Sequence, residues 1–351
     1  MDSSSATELV LVTGVSGFVG SHVAARLLAD GYRVRGTVRG SKVASIQAAS
    51  VAKNRNFEVV TVEDIATNDL SNVLKGVKYV VHTASPLAGR ASAADGLKSS
   101  VDGNLNIIQQ GFKAGVTKFV LTSTWGTIMD PSLHKMYTGA ILTNKDWGNV
   151  SEADILDGGH TPFWNYLGSK ILAESAAWKY AEEHPEIDLT TINPPFIYGP
   201  PHPDFPPVQR TRLGTNGMVY ALIAGEPGRA LPPLLSPFFC DVRDVALAHS
   251  RSLKVGLVDN GNVRVQKRFL VCGGWFTWKE AAEYVTVAHE HLKNRLPALD
   301  TAKPLPGPIS ITDVSPASTI LGLKEYIPWK QCVLDTLDAL LVAEKTWKET
   351  H

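Results

Sequence analysis

The chain has 351 residues, 44% of them hydrophobic and 19% charged, the make-up of an ordinary globular protein, with length for one large α/β domain plus an appended lobe, or for two domains. Its 34 Lys and Arg balance its 34 Asp and Glu, so no net field favours nucleic acid or an anionic membrane as a partner. Three scattered cysteines, Cys240, Cys272 and Cys332, lack metal-binding or disulfide-framework spacing and fit a reducing, cytoplasmic setting; neither a secretory leader nor a membrane-spanning apolar run is read here.

Residues 8–13 read as a buried parallel strand, a short apolar β-branched run. The strand runs into Gly14-Val15-Ser16-Gly17-Phe18-Val19-Gly20, and residues 21–29 read as a helix closed by Gly31. Strand, glycine turn and helix together make a phosphate-binding fingerprint. Gly14 permits the turn, Gly17 the approach of a pyrophosphate, and Gly20 close packing of helix on strand. The spacing is G-x-x-G-x-x-G rather than G-x-G-x-x-G, and a purely structural glycine turn is the alternative.

Residues 32–39 form the second expected strand. In an NAD site an acid for the ribose 2′-hydroxyl stands about 20 residues past the glycines. Arg39 stands there instead, with Lys42 beyond it, which suits a 2′-phosphate; the plain alternative is a solvated basic strand end. A third strand over 57–62 leads to Asp64 and Ile65, where adenine sits in doubly wound sheets. A fourth begins at Tyr79 and exits through His82-Thr83-Ala84-Ser85-Pro86, with His82 read as a satisfied core histidine. After a helix over 101–114, a fifth strand ends in Thr122-Ser123-Thr124, three hydroxyls at a carboxyl end where ligands bind; helix caps or turns are the plain alternative, with no helix evident after them.

Residues 127–164 read as loops and short helices lining a pocket, to which Trp147, Phe163 and Trp164 add apolar surface; simple packing is the alternative for each alone. Tyr166 and Lys170 follow, on a helix rich in Ala, Leu, Lys and Glu. Four residues apart, they share a face. An ammonium near a phenol lowers the phenol's pKa from about 10 and readies it for proton transfer. Alone, Tyr-x-x-x-Lys is also an ordinary helix turn; the nucleotide signature and the strand-end hydroxyls give it meaning. A sixth strand over 189–194 precedes Pro195 and a Pro/Gly-rich stretch to about 237, with one helix over 216–224. Residues 239–249 turn from strand to helix with Asp244 as a cap, 268–272 form another buried strand, Thr277 to Glu280 a capping box opening a helix to about 291, and 329–347 a final helix.

As a set, Thr13 to Gly20, His82 to Pro86, Val120 to Thr124, Tyr166-x-x-x-Lys170 and Asn193-Pro194 resemble the extended short-chain dehydrogenase/reductase family, over nearly the whole chain. Val34 to Arg39, Asp241 to Ala246 and the tail from Ile320 to Trp347 are similar to its dihydroflavonol, cinnamoyl-CoA and fungal carbonyl or methylglyoxal reductases. The resemblance implies a Rossmann-type doubly wound parallel sheet, residues 1–198 with returning segments about 238–274, and a smaller substrate lobe, 199–237 and 275–351. It implies NADP(H), held by Gly14 to Gly20 including Ser16, Phe18 and Val19, by Arg39 and Lys42, by Asp64 and Ile65, by Thr83, Ala84 and Ser85, and by Thr122, Tyr166, Lys170, Pro194 and Pro195. It implies a hydroxyl–Tyr–Lys triad with Thr124 as first choice for the hydroxyl and Ser123 as second.

The expected reaction is hydride reduction of a small apolar or aryl ketone or aldehyde, with Tyr166 as proton donor. An NAD-dependent sugar-nucleotide epimerase or dehydratase, which Arg39 and Lys42 disfavour, and a non-catalytic NADP-sensing regulator are the rivals. No metal is expected, since no HExxH or Cys/His cluster exists. The oligomeric expectation is a monomer or homodimer.

Overall fold

The computed structural model describes residues 7–85, 89, 91–260 and 263–348; the leader reading of the first five residues, and Pro86, lie outside them. The glycine turn leads from β1 (Leu9–Thr13), buried throughout, into α1 (Phe18–Ala29), which starts three residues earlier than the sequence reading because Gly17 already takes the helix-capping position. Then come β2 (Arg33–Val38), α2 (Gly40–Gln47), β3 (Phe57–Thr61), β4 (Tyr79–His82), α3 (Ala93–Lys113) and β5 (Lys118–Thr122). Helix α3 begins at Ala93 rather than 101, because the Ser92 side chain accepts the Asp95 N–H and fixes the start there.

β6 (Ile141–Leu142), α4 (Glu152–Leu156) and α5 (Pro162–Glu183) follow, then β7 (Asp188–Asn193), β8 (Phe196–Tyr198), α6 (Asn216–Tyr220), β9 (Phe238–Asp241) and α7 (Val242–Ser252). The chain continues through β10 (Asp259–Asn260), β11 (Val263–Arg264), β12 (Lys267–Leu270), β13 (Gly274–Trp275), α8 (Trp278–Ala288), β14 (Ile311–Thr312), α9 (Ser315–Ile320) and α10 (Trp329–Lys348). The capping box at Thr277 and Glu280 forms as read, but α8 stops at Ala288 and gives way to a 3₁₀ segment over Glu290–Arg295. The α7 cap is Asp241, which accepts the Arg243 N–H, and not Asp244; Asp244 accepts the Ile327 N–H instead, tying α7 to the approach of α10. Helix α6 ends at Tyr220, short of the expected 224.

Seven strands pair in the order β3-β2-β1-β4-β5-β7-β12, every pair parallel. Chain order reverses between β1 and β4, which opens a crevice at their carboxyl ends. One face of the sheet packs Val10, Val12, Val34 and Val120 against α1 and α7; the other packs Leu11, Val80, Phe119 and Leu121 under α3 and α5. A separate cluster unites Tyr198, Val219 and Phe239 with Trp278, Val285, Cys332 and Leu337. The tail also returns to the nucleotide half: Ala317, Leu321 and Leu323 join the first cluster, and β14 pairs with β6.

Candidate active site

The glycine turn places a helix N-terminus at the crevice. Gly14 has φ of +72°, which a glycine adopts freely. A Cβ at Gly20 would stand 2.3 Å from the Gly14 carbonyl and 2.8 Å from Thr83 Oγ1, so α1 can sit this close to β1 only with glycine there. Ser16 and Gly17 are exposed, Phe18 and Val19 half-buried. No side chain caps α1 and no acid stands in its first turn, which leaves the positive end of the helix open to an anion. The β4 exit is tied to this turn. Thr13 Oγ1 accepts the Thr83 and Ala84 N–H groups at 3.1 Å each and bonds His82 Nδ1 at 2.8 Å, so His82 is a satisfied core residue. Burial, with help from the Lys170 charge, lowers the His82 pKa to about 3 and keeps it neutral. Ser85 is exposed beside it.

At the end of β2, Arg39 is exposed and caps α2, and Lys42 stands one helical turn on. Burial, Arg212 and Arg39 together lower the Lys42 pKa. Arg212 is a third cation of this cluster that sequence reasoning missed; its 3₁₀ turn (Arg210–Arg212) lies in the Pro/Gly-rich stretch. Among the described residues no ion pair joins Arg39, Lys42 or Arg212 to an acid. Glu63, whose carboxylate stands at the start of α2, accepts the Gly40 N–H at 2.8 Å. Asp64 turns its carboxylate onto Ala66 N and Thr67 Oγ1, and the Ile65 carbonyl accepts Asn106 Nδ2 at 2.7 Å. An uncapped helix end, a glycine cradle and like charges without counter-ions fit a phosphorylated dinucleotide.

The strand end of β5 separates its three hydroxyls. Thr122 Oγ1 bonds His249 Nε2 at 2.7 Å, while the Thr122 carbonyl accepts Lys170 Nζ at 3.1 Å. Ser123 is buried and donates to Glu174. Thr124 is half-exposed; its hydroxyl makes only long contacts, to the Pro194 carbonyl at 3.4 Å and from Gly126 N at 3.3 Å. Contrary to the sequence reading, a 3₁₀ turn (Trp125–Ile128) does start here, with Thr124 as its cap. Pro194 accepts Trp125 N at 2.8 Å, and Pro195 is half-buried behind it.

Helix α5 starts at Pro162, capped by Thr161, so Tyr166 lies in its second turn with Lys170 one turn later. Leu167 packs on Gly126, where a Cβ would come within 2.7 Å, so α5 seats directly on the 3₁₀ turn. The expected depression of the Tyr166 pKa is not found: burial raises it to about 12. Burial also lowers Lys170 to about 8, against a raising influence from Glu174. The ammonium is directed to Thr122 rather than to the phenol, so desolvation governs both groups. Of the three expected aromatic liners, Phe163 lies beside Tyr166 and Phe196, with ring centroids 6.4 and 5.9 Å away. Trp147 instead stacks on the Arg268 guanidinium at 3.5 Å, and Trp164 on His160 at 3.6 Å. A cavity on the α3 side of Tyr166 is lined by Ser92, Ser100, Asn165 and Ser169, not by Thr124 or Lys170.

A doubly wound sheet with this glycine turn and this Tyr–Lys helix defines a dinucleotide-binding α/β protein. The chain belongs to the NAD dependent epimerase/dehydratase family, whose model matches residues 10–257. It is 30% identical to the ketoreductase azaE of Aspergillus niger, over 95% of this chain and 97% of that protein. It is 27% identical to the NADPH-dependent methylglyoxal reductase GRE2 of Saccharomyces cerevisiae, over 95% of this chain and 98% of that one. The crystal structure of Gre2 from Candida albicans in complex with NADPH superposes with a TM-score of 0.82 at 29% identity, covering 96% of this chain and 99% of that one.

Proposed function

We propose that the protein is an NADPH-dependent carbonyl reductase that converts a small apolar or aryl ketone or aldehyde to its alcohol. The observation that carries the reading is the seating of α5 on the β5 end, where Lys170 Nζ meets the Thr122 carbonyl and Leu167 meets Gly126. That seating sets the Tyr166 helix face against the strand end bearing Thr124. NADPH, when bound, supplies the hydride. The α1 N-terminus and Gly14 to Gly20 would hold its pyrophosphate, Arg39, Lys42 and Arg212 its 2′-phosphate, Asp64 and Ile65 its adenine, and Lys170 its ribose. Thr83 to Ser85, Thr122, Pro194 and Pro195 would line the rest. Tyr166 gives its proton to the substrate oxygen, and the Thr124 hydroxyl donates a second hydrogen bond there. A phenol with a pKa of about 12 stays protonated at neutral pH, the form that reduction needs.

The basic end of β2 and the reductase relatives favour this reading over an NAD-dependent epimerase, and the retained Tyr–Lys pair favours it over a non-catalytic sensor. The aromatic side chains of Phe163, beside Tyr166, and of Phe196, beside Phe163, support an apolar substrate. Residues 199–237 and 275–351 would form most of the substrate lobe. Among the described residues no helix is long and apolar enough to cross a membrane. Three buried free thiols support a cytoplasmic location, and a monomer or homodimer is the proposed state.

The two strand-end hydroxyls are separable by mutation. Thr124→Ala should lose about 10²–10³ in turnover, the usual effect of deleting an oxyanion donor. Ser123→Ala should lose less, because its hydroxyl faces Glu174 and not the crevice. Steady-state turnover of both variants decides this, and a crippled Ser123→Ala beside a near-silent Thr124→Ala would exchange their roles.

Cofactor choice is a second test. A hydrogen bond to a charged group contributes about 1.5–3 kcal/mol, so Arg39 should favour NADPH over NADH by roughly 10- to 150-fold. Arg39→Ala should raise the KM for NADPH far more than that for NADH. Lys42→Ala and Arg212→Ala should act in the same direction more weakly. A wild-type ratio of efficiencies near one would reduce the cluster to a solvated basic edge.

A further inference from the structure

Four residues beyond Lys170, and so on the same face of α5, stands Glu174, of which only 1% is exposed. A carboxylate this deep must be fully hydrogen-bonded and paired. It is: one oxygen accepts Arg268 Nε at 2.7 Å and Thr191 Oγ1 at 3.1 Å. The other accepts Thr127 Oγ1 at 2.7 Å, Asn193 Nδ2 at 2.8 Å and the Ser123 hydroxyl. These donors come from the residue that follows β5, the 3₁₀ turn after it, β7 and β12, so one carboxylate ties together three neighbouring strands. Arg268 is itself fully buried; it donates to the Asn144 and Asp146 carbonyls at 2.8 and 2.7 Å and lies against the Trp147 ring.

Thr124 sits inside this net. Its neighbour Ser123 donates to Glu174; the Thr127 hydroxyl, three residues on, lies within hydrogen-bond distance of both Glu174 and the Thr124 carbonyl, at 2.7 and 2.9 Å, and that carbonyl accepts Asn193 Nδ2 at 3.3 Å. We propose that Glu174, braced by Arg268, is a positioning residue of the reaction, extending the motif to Tyr166-x-x-x-Lys170-x-x-x-Glu174: its carboxylate sets the strand end that presents Thr124 and supplies the counter-charge that keeps buried Lys170 cationic. It reaches no substrate and acts only through these neighbours. The proposal rests on the reductase reading. Burial lowers Lys170 to about 8 while Glu174 raises it, so a cationic Lys170 is present below that pH and lost above it. Wild-type reduction should therefore fall on an alkaline limb near pH 8.

The experiment measures the pH profile of NADPH-dependent reduction for wild type and two variants, with NADPH binding followed by fluorescence. Wild-type reductase activity checks the functional reading by itself; the variants check the role of Glu174. Glu174→Asp keeps the charge and the Arg268 partner but draws the carboxylate back from the strand ends. It should lower kcat about tenfold or more, with KM values and the alkaline limb close to wild type. The double variant Glu174→Gln with Arg268→Met removes both charges at similar volume and should move the alkaline limb to lower pH. A Glu174→Asp enzyme with wild-type kcat overturns the proposal, and so does a folded double variant with a wild-type limb. If the double variant does not fold, Glu174→Asp alone decides.

Discussion

Tyr166→Phe should lower turnover by about 10²–10⁴-fold, the span that general acid catalysis contributes. The substitution removes one oxygen from a residue that packs by its ring against Phe163, so the fold should survive. The glycine turn proposed to hold the pyrophosphate joins other elements, β1 and α1, so NADPH binding should also survive. Stopped-flow or steady-state turnover, with circular dichroism and NADPH titration on the same sample, makes the test. Near wild-type turnover in a folded, NADPH-binding variant would remove Tyr166 from the mechanism. In the reverse, alcohol-oxidising direction, the phenolate is the useful form. With the phenol at about 12, oxidation by the wild type should keep rising as the solution is made more alkaline until loss of Lys170 charge opposes it.

The largest stability effect is expected at Arg268. Removing one partner of a buried ion pair costs about 3–5 kcal/mol, because the other charge is left uncompensated. Arg268→Ala strands Glu174 in the interior with its remaining donors and also empties the space over Trp147. The pH dependence has a definite sign. Burial would raise the Glu174 pKa, but Arg268 and the Ser123 and Thr127 hydroxyls hold it below its ordinary 4.5. A carboxylate depressed in the fold contributes stability above its unfolded pKa and loses it as pH falls through the folded value. Without Arg268 the carboxylate can protonate in the folded state, so the deficit of the variant should be greatest at neutral pH and narrow toward pH 4.5. Urea unfolding at two pH values reads this out; a deficit under about 1 kcal/mol at neutral pH would mean that the pair is not uncompensated when broken.

What could be read from the sequence was local. The glycine turn is seven consecutive residues between a strand and a helix, and Tyr166 and Lys170 are one helical turn apart, so both are legible from spacing. Arg39 was found by its distance from the glycines. The Glu174–Arg268 pair spans 94 residues, and nothing near either residue announces the other; an Arg in an apolar strand was the one available signal. Arg212 joins the basic cluster from an irregular stretch that has no periodicity to read. The Asp244 cap failed by three residues because Asp241 and Asp244 are both acids at a strand-to-helix junction, and only the backbone tells which precedes the first turn. The Tyr166 pKa was misjudged for a related reason: spacing gives the neighbour, whereas the governing effect is burial, which tertiary packing sets. Trp147 was expected at the pocket and lies over Arg268 instead, again a long-range contact.

The central claim is NADPH-dependent reduction of a carbonyl, and its most direct test is the loss of NADPH absorbance when the purified protein meets a panel of aldehydes, alkyl and aryl ketones, flavonoids and acyl-CoA esters, run in parallel with NADH. Carbonyl-dependent NADPH consumption is expected with the apolar or aryl aldehydes and ketones, with NADH at least about tenfold less efficient. No carbonyl-dependent consumption of NADPH with any member of the panel, or equal use of NADH together with turnover of a sugar nucleotide, would contradict it.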